Sequence, residues 1–300
     1  MQRFIRSGKS KFVLSLLLSL VLVLGFSTQI TLADEAQAKE SAKTVDILTF
    51  NDFHGNIVGE GKNPGMAKLV GYIKEREKNN PNTIVVSGGD IYQGTAISNL
   101  TYGESVTEML KAMNVAASAV GNHEFDWGAD KIEKWGIDGG FDFLAANIYD
   151  KKTEEPVTWA RPYKIVEKGG IKIGFIGLAH PNTTTLTKEE FIKDYEFRDP
   201  VESAEEWVKY LKDGKAEEGV PDVIIALTHI DSDQDRDTKE ITGNVVDLTE
   251  VEGIDAIISA HSHRTVAGKV NDVPIVQGYY NGRAIGVLSI ELDDNNKVKT

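Results

Sequence analysis

The chain has no cysteine in 300 residues. That excludes a disulfide framework, thiolate chemistry and lipid attachment through a cysteine. Basic side chains are also in short supply: 33 Lys and Arg against 46 Asp and Glu leave a formal charge of -13. An acidic surface repels polyanions, and non-specific binding of long nucleic acid needs basic patches that release counterions, so a nucleic-acid polymer is not an expected partner. If the substrate is a phosphate ester, bound cations must supply the local positive charge. No internal repeat of solenoid length is present. What remains, 41% hydrophobic and 26% charged residues, is globular composition with enough apolar material for a sizeable core.

The first residues carry Arg3, Arg6, Lys9 and Lys11 with no acid, and Phe12 to Phe26 is almost wholly apolar. This is the layout of a secretory signal peptide over residues 1–33, with small residues before both Ala33 and Ala38, so cleavage as late as 38 also fits. An uncleaved anchor is the alternative, but the apolar run is shorter than the roughly 20 residues a spanning helix needs. A secreted or cell-envelope location follows, with no stable membrane insertion after cleavage. Losing four bases and no acid takes the charge from -13 to -17, that is, -13 minus 4. Residues 34–44 are polar and alanine-rich and read as a linker, with the folded domain over 45–300.

From Val45 onward, apolar runs of strand length alternate with helical patterns. Strands are expected at Val45–Phe50, Thr83–Ser87, Ala116–Val120, Phe143–Asn147, Ile171–Gly177, Val223–Leu227, Ala256–Ser259 and Ile285–Glu291. Met66, Leu69, Val70 and Ile73 stand at helical spacing, as do Val106, Met109, Leu110 and Met113, and Ala204, Trp207, Val208 and Leu211. Asn79-Asn80-Pro81 stops the first helix, and Asp199-Pro200 starts the third. Alternating strands and helices predict a layered α/β fold.

Five of the six histidines lie in short motifs just after five of these strands. The motifs are Asn51-Asp52-Phe53-His54, Gly88-Gly89-Asp90, Gly121-Asn122-His123-Glu124 with Asp126 behind it, Thr228-His229, and His261-Ser262-His263. Each alone is more often a turn or a cap than a site. In layered α/β folds, however, the carboxyl ends of the strands form the ligand crevice, so five such segments can converge. Imidazole with carboxylate and amide oxygen, and no sulfur, suits Zn, Mn, Fe, Co or Ni rather than a calcium cage. Asp52, His54, Asp90, Asn122, His229, His261 and His263 exceed one tetrahedral site. They fit two divalent ions about 3.5 to 4 Å apart sharing a carboxylate, as used for hydrolytic displacement at phosphorus.

These motifs, with Gly89-Asp90-Ile91-Tyr92-Gln93-Gly94-Thr95 and Gly121 through Gly128 read in full, resemble the calcineurin-like metallophosphoesterases, and their wording is closest to the 5'-nucleotidase branch. The likeness covers most of residues 45–292. It implies a four-layer α/β/β/α sandwich. It also implies one ion held by Asp52, His54, Asp90 and His263, and another by Asp90, Asn122, His229 and His261, with Asp90 bridging. His123 would face the phosphoryl group without binding metal, oriented by Asp126, and Asn122 and His123 would contact substrate. The chemistry expected is in-line attack of water on phosphorus, with His123 countering phosphoryl charge and helping protonate the leaving alkoxide; no covalent phosphoenzyme is expected.

The chain departs from the pattern at Ala260 and at Ile230-Asp231, where the family tends to have glycine, and Asp231 to Asp237 reads as a solvated acidic loop. A structural or substrate-edge role is expected for His180, and none in binding for Tyr279, Tyr280 or Arg283. The C-terminal nucleotide-specificity domain usual in that branch is not expected within this chain. The leading expectation is a secreted hydrolase of nucleotide phosphomonoesters. A 2',3'-cyclic-nucleotide phosphodiesterase and a UDP-sugar hydrolase share the same site, and a non-catalytic secreted binding protein is the alternative of another class.

Overall fold

The computed structural model describes residues 44–295 and 297–299. The signal peptide expected at 1–33 and the linker up to residue 43 lie outside the described residues. Thr44, assigned to the linker by its polarity, is instead the first residue of a strand. No helix among the described residues is long and apolar enough to cross a membrane.

Among the described residues, fifteen strands run in chain order. They are β1 Thr44–Phe50, β2 Thr83–Ser87, β3 Val115–Ala119, β4 Asp142–Leu144, β5 Ile148–Asp150, β6 Tyr163–Lys168, β7 Ile171–Leu178, β8 Tyr195–Phe197, β9 Val223–Asp231, β10 Asp233–Gln234, β11 Ile241–Thr242, β12 Ala256–Ala260, β13 Thr265–Val270, β14 Val273–Gly278 and β15 Gly286–Glu291. One sheet has the order β15-β1-β2-β3-β4, with β15 antiparallel at its edge and the rest parallel. The other has the order β13-β14-β12-β9-β7-β6, parallel in its middle with antiparallel edges.

The central strands are apolar on both faces because both faces are covered. Val45, Ile47, Ile84 and Val86 of the first sheet meet Ile173, Phe175, Ile225, Leu227 and Ile258 of the second in a core between the sheets. Alternate residues point outward. Leu48, Phe50 and Val85 pack on Leu69 and Ile73 of helix Gly65–Asn79, Met109 and Leu110 of helix Glu104–Ala112, and Ile132 and Trp135 of helix Ala129–Gly139. Ile176, Ile224 and Ile257 pack on Ala204, Val208 and Leu211 of helix Pro200–Lys212. The order of layers is therefore α/β/β/α. Fully burying an aliphatic or aromatic side chain contributes about 1.5–3 kcal/mol, and all three apolar layers are filled with such residues.

The boundary signals act as read: Asp199 accepts from the N–H groups of Val201 and Glu202, and the first helix ends at Asn79. Three expectations need correction. The strand expected over Phe143–Asn147 stops at Leu144, because Ala145 and Ala146 turn to bond with Arg161 and Gly177 instead of a sheet neighbour. The acidic stretch after Asp231 is not simply loop. It enters the β10–β11 hairpin, whose turn is tied by the Asp235 carboxylate accepting from the N–H groups of Asp237 and Thr238. Finally, His229 does not follow its strand but lies within it, since β9 runs on to Asp231 past a register shift against β12.

Candidate metal centre

The five motifs meet at the carboxyl ends of β1, β2, β3 and β12 and the end of β9, on the seam between the two sheets. Hydrogen bonds cross that seam: Asn51 Nδ2 donates to Tyr279 O at 2.6 Å and Asn51 Oδ1 accepts from Gly278 N–H at 2.8 Å. Two clusters of potential donor atoms form there, Asp52 with His54 and His263, and Asp90 with His229 and His261, each with its atoms within 4.8 Å of one another.

In the first cluster, His263 Nε2 lies 3.2 Å from Asp52 Oδ1 and 3.1 Å from His54 Nε2, and the latter is 3.8 Å from Asp52 Oδ1. In the second, His229 Nε2 is 3.1 Å from Asp90 Oδ2 and 3.3 Å from His261 Nδ1. Tetrahedral coordination at about 2.0 Å places donors about 3.3 Å apart, which matches these separations. Two oxygens support the same fit. Asp52 Oδ1 and Asn122 Oδ1 are buried and, among the described residues, have no hydrogen-bond partner. A buried carboxylate or amide oxygen without a donor is costly unless a cation takes its lone pair.

Backbone carbonyls orient two of the imidazoles. Gln93 O lies 3.0 Å from His54 Nδ1 and Gly88 O lies 2.7 Å from His229 Nδ1, which leaves each Nε2 free to ligate. Burial lowers the pKa of His54; it also lowers that of His261, to about 4, with His229 and His180 adding to the effect, so both present neutral rings. For His229, burial alone would depress the pKa, but the Asp90 carboxylate outweighs it and holds the ring above its ordinary value.

The loops are not relaxed. Asp52, His54, Asp90, His261 and His263 all have positive φ, from 48° to 67°, so five of the seven expected ligands sit in left-handed backbone. Such conformations cost on the order of 1 kcal/mol each and persist where the surroundings over-determine them. The turns that hold them need glycine. A Cβ on Gly121 would fall 2.1 Å from Asp90 Oδ1, and one on Gly89, at φ +90°, would fall 2.9 Å from Gly121 N.

His123 and Asp126 stand beside the clusters. His123 Nδ1 is 2.8 Å from Asp126 Oδ2, the His123 backbone N–H donates to Asp90 Oδ1 at 2.9 Å, and the ring centroid is 5.4 Å from that of His54. The hydrogen bond from Asp126, opposed by burial and helped by Asp90, raises the His123 pKa to about 9. His123 is thus a half-exposed imidazolium beside the triads. His180 is not in either cluster: its Nε2 faces Asp231 Oδ1 at 3.2 Å and its Nδ1 accepts from Asn182 N–H, so both nitrogens are occupied.

One residue carries more than the sequence reading gave it. Glu124 is fully buried and accepts three backbone N–H groups, from Asp90 at 2.8 Å, Ile91 at 2.8 Å and Gly121 at 2.7 Å. It ties the loop after β2 to the loop after β3. Burial, then the Asp90 charge, push its pKa to about 7 against the pull of those donors. The signal that could have found it is an acid in an otherwise glycine- and ligand-bearing turn.

Comparison with known proteins places this geometry in context. In sequence, the chain is 33% identical over 279 residues to "Endonuclease YhcR" of Bacillus subtilis, covering 84% of this chain and 22% of that protein. It is 31% identical over 273 residues to a 5'-nucleotidase of Vibrio vulnificus, covering 88% of this chain and 48% of that one. The chain thus spans half or less of the length of these relatives. In structure, it is similar to the calcineurin-like phosphoesterase YfkN of Bacillus subtilis, with a TM-score of 0.70 at 28% identity over 86% of this chain and 88% of that chain. The family model for calcineurin-like phosphoesterases matches residues 45–265, a span that takes in both clusters, His123, Asp126 and Glu124, and the chain belongs to that family.

Proposed function

We propose that this chain is a secreted hydrolase of nucleotide phosphomonoesters that works through two divalent metal ions. The observation that carries the reading is the meeting of two ligand clusters with two orphaned buried oxygens, beside a His–Asp pair. One ion is assigned to Asp52, His54, His263 and Asp90, and the other to Asp90, Asn122, His229 and His261, with Zn, Mn, Fe, Co and Ni as the candidates that suit these donors. When bound, such cations lower the pKa of water toward neutrality and draw charge from phosphoryl oxygens.

This chain's own residues then divide the remaining work. Asn122 offers Oδ1 to a cation and its Nδ2 to a phosphoryl oxygen. His123, kept protonated by Asp126, donates to the phosphoryl group and then to the leaving alkoxide. Asp126 fixes the plane of that ring. The basic, then apolar, leader supports export, and the name of the Vibrio relative supports the nucleotide as substrate.

A phosphodiester substrate is the second reading, favoured by the relative named as an endonuclease. The test is hydrolysis by the metal-stripped chain reloaded with Mn, Zn, Co or Mg, with nucleoside, nucleotide and phosphate products separated by chromatography. The substrates are AMP, 2',3'-cyclic AMP, UDP-glucose and p-nitrophenyl phosphate, with single-stranded DNA cleavage assayed alongside. AMP turnover restored by metal and lost in His123→Ala is expected. Turnover confined to cyclic AMP or DNA would replace the monoesterase by a diesterase, and no turnover on any of them with two ions bound would favour a binding protein.

A further inference from the structure

The imidazoles of the two clusters are not held alike. His54 and His229 each present Nδ1 to a backbone carbonyl, and the His261 ring lies against His180, itself fixed at both nitrogens. His263 has no such partner. Its side chain is 41% exposed, its backbone is left-handed, and among the described residues nothing hydrogen-bonds to its Nδ1. Apart from Asp52 and His54 on the Nε2 side, what contacts the ring is Tyr280, which stacks on the imidazole with centroids 4.8 Å apart and planes 16° apart.

Tyr280 is itself braced. Its hydroxyl accepts from Arg283 Nη1 at 2.8 Å, and the guanidinium carbon lies 4.5 Å from its ring centroid. Arg283 Nε donates to Asn63 Oδ1 at 2.7 Å, Asn63 Nδ2 donates to Asn56 Oδ1 at 2.8 Å, and Asn56 Nδ2 donates to the carbonyls of Phe53 and His54. The chain of contacts begins at one member of the first cluster and ends on the backbone of another. The third member joins the same loop, since Asn281 N–H donates to Asp52 O at 2.8 Å. Tyr279 and Asn281 in that loop have φ of 62° and 53°, and Arg283 makes no ion pair among the described residues. Backbone strain and an arginine committed to a tyrosine and an asparagine are what a positioning device requires; a surface turn requires neither.

We propose that Tyr280, braced by Arg283, is a positioning residue that sets the plane of His263 and turns its Nε2 toward Asp52 and His54. The stacked ring takes the place of the hydrogen bond that orients the other imidazoles. The proposal rests on reading the first cluster as a metal site, and it assigns Tyr280 a partner within the protein rather than a substrate base.

The experiment is titration of the metal-stripped chain with Co²⁺, followed by visible absorption and by competition with a chromophoric chelator, with melting of the metal-free forms measured alongside. Wild type is expected to take two ions in separable steps. Tyr280→Leu weakens one step by about tenfold, the scale on which loss of an orienting partner lowers metal affinity, and leaves the other step in place. Tyr280→Trp, which keeps a stacking face, restores the affinity. Arg283→Met, with Tyr280 intact, weakens the same step by a smaller factor and serves if Tyr280→Leu fails to fold. Two wild-type steps in both Tyr280→Leu and Arg283→Met would overturn the proposal, as would equal weakening of both steps together with a lower melting temperature of the metal-free chain. A wild-type chain that binds no ions would overturn the metal reading itself.

Discussion

Replacing Glu124 by glutamine tests whether a buried carboxylate shapes the second cluster. Oε2 accepts from Asp90 and Gly121 at 2.8 and 2.7 Å, and Oε1 accepts from Ile91 at 2.8 Å. Glutamine keeps one oxygen. Set where Oε2 stands, it retains two donors as neutral bonds, each about 1 kcal/mol weaker than a charge-assisted one. Its NH2 group then faces the Ile91 N–H, and a buried donor left unpaired costs about 1–3 kcal/mol. Removing a buried charge next to Asp90 offsets part of this, so the expected net loss is about 2 kcal/mol, read by urea unfolding of the metal-free chain with unchanged m. Metal affinity at the Asp90, His229 and His261 cluster should fall about ten- to a hundredfold as Asp90 loses its anchor. A loss at that cluster alone means Asp90 serves one ion, while a loss at both is the signature of a bridge. Stability within about 0.5 kcal/mol of wild type, with an unchanged metal titration, would refute the clamp.

Other perturbations have equally definite expectations. Asp126→Asn should bring the His123 pKa down from about 9 toward 6.5 in the metal-free chain, followed by imidazole NMR. Because the folded value is the higher one, this histidine contributes stability that is whole below pH 6.5 and is lost as pH rises through 9; the variant should show no such slope, and a slope that persists would clear Asp126 of the role. Gly121→Ala drives a methyl into the Asp90 carboxylate and Glu124, and should abolish ion binding at the second cluster while the chain still folds with lowered stability; retained binding would mean the turn relaxes freely. Chelation should lower the melting temperature, since ions at about 100 times their Kd stabilise by about 2.7 kcal/mol, and identical melting curves would remove the metal reading.

Much of this architecture is legible in the sequence because burial on both faces writes strands such as Thr83–Ser87 as unbroken apolar runs. The expected strands nearest the site match the observed ones to within a residue or so at most ends, and the helix starting at Pro200 is announced by Asp199. What could not be read is what depends on partners far along the chain. β6 and β13 are half-exposed or polar on one face and gain their order from pairing, as in Tyr163↔Ile176 and Thr265↔Gly278. Helix Ala129–Gly139 is weakly written in the sequence, with few apolar positions and Gly136 inside it; Trp135 holds it by stacking on Tyr92 at 3.8 Å. For the site, the ligand types and their place after strands are local facts. The clamp by Glu124 reaches 34 residues to Asp90, the Tyr280 stack joins the loops after β14 and β12, and the orphaned Oδ1 atoms depend on what folds around them; no spacing rule encodes these.

The proposed ligands divide between the two sheets. Asp52, His54, Asp90 and Asn122 follow strands of the first sheet, whereas His229, His261 and His263 belong to the second. Each cluster therefore draws on both sheets, Asp52 and His54 with His263 in one, Asp90 with His229 and His261 in the other. An ion bound at either place staples the sheets together at the end where the inter-sheet core meets solvent, so ion affinity and sheet packing are linked quantities. Ile225, 1% exposed in that core, is the place to test the link. Ile225→Ala should cost about 2–5 kcal/mol by the cavity it leaves. If the sheets move as units, it should also weaken both ion-binding steps together, in contrast to the single-site loss expected at Tyr280. Full destabilisation with unaltered ion binding would show that the loops hold their geometry independently of the layers beneath them.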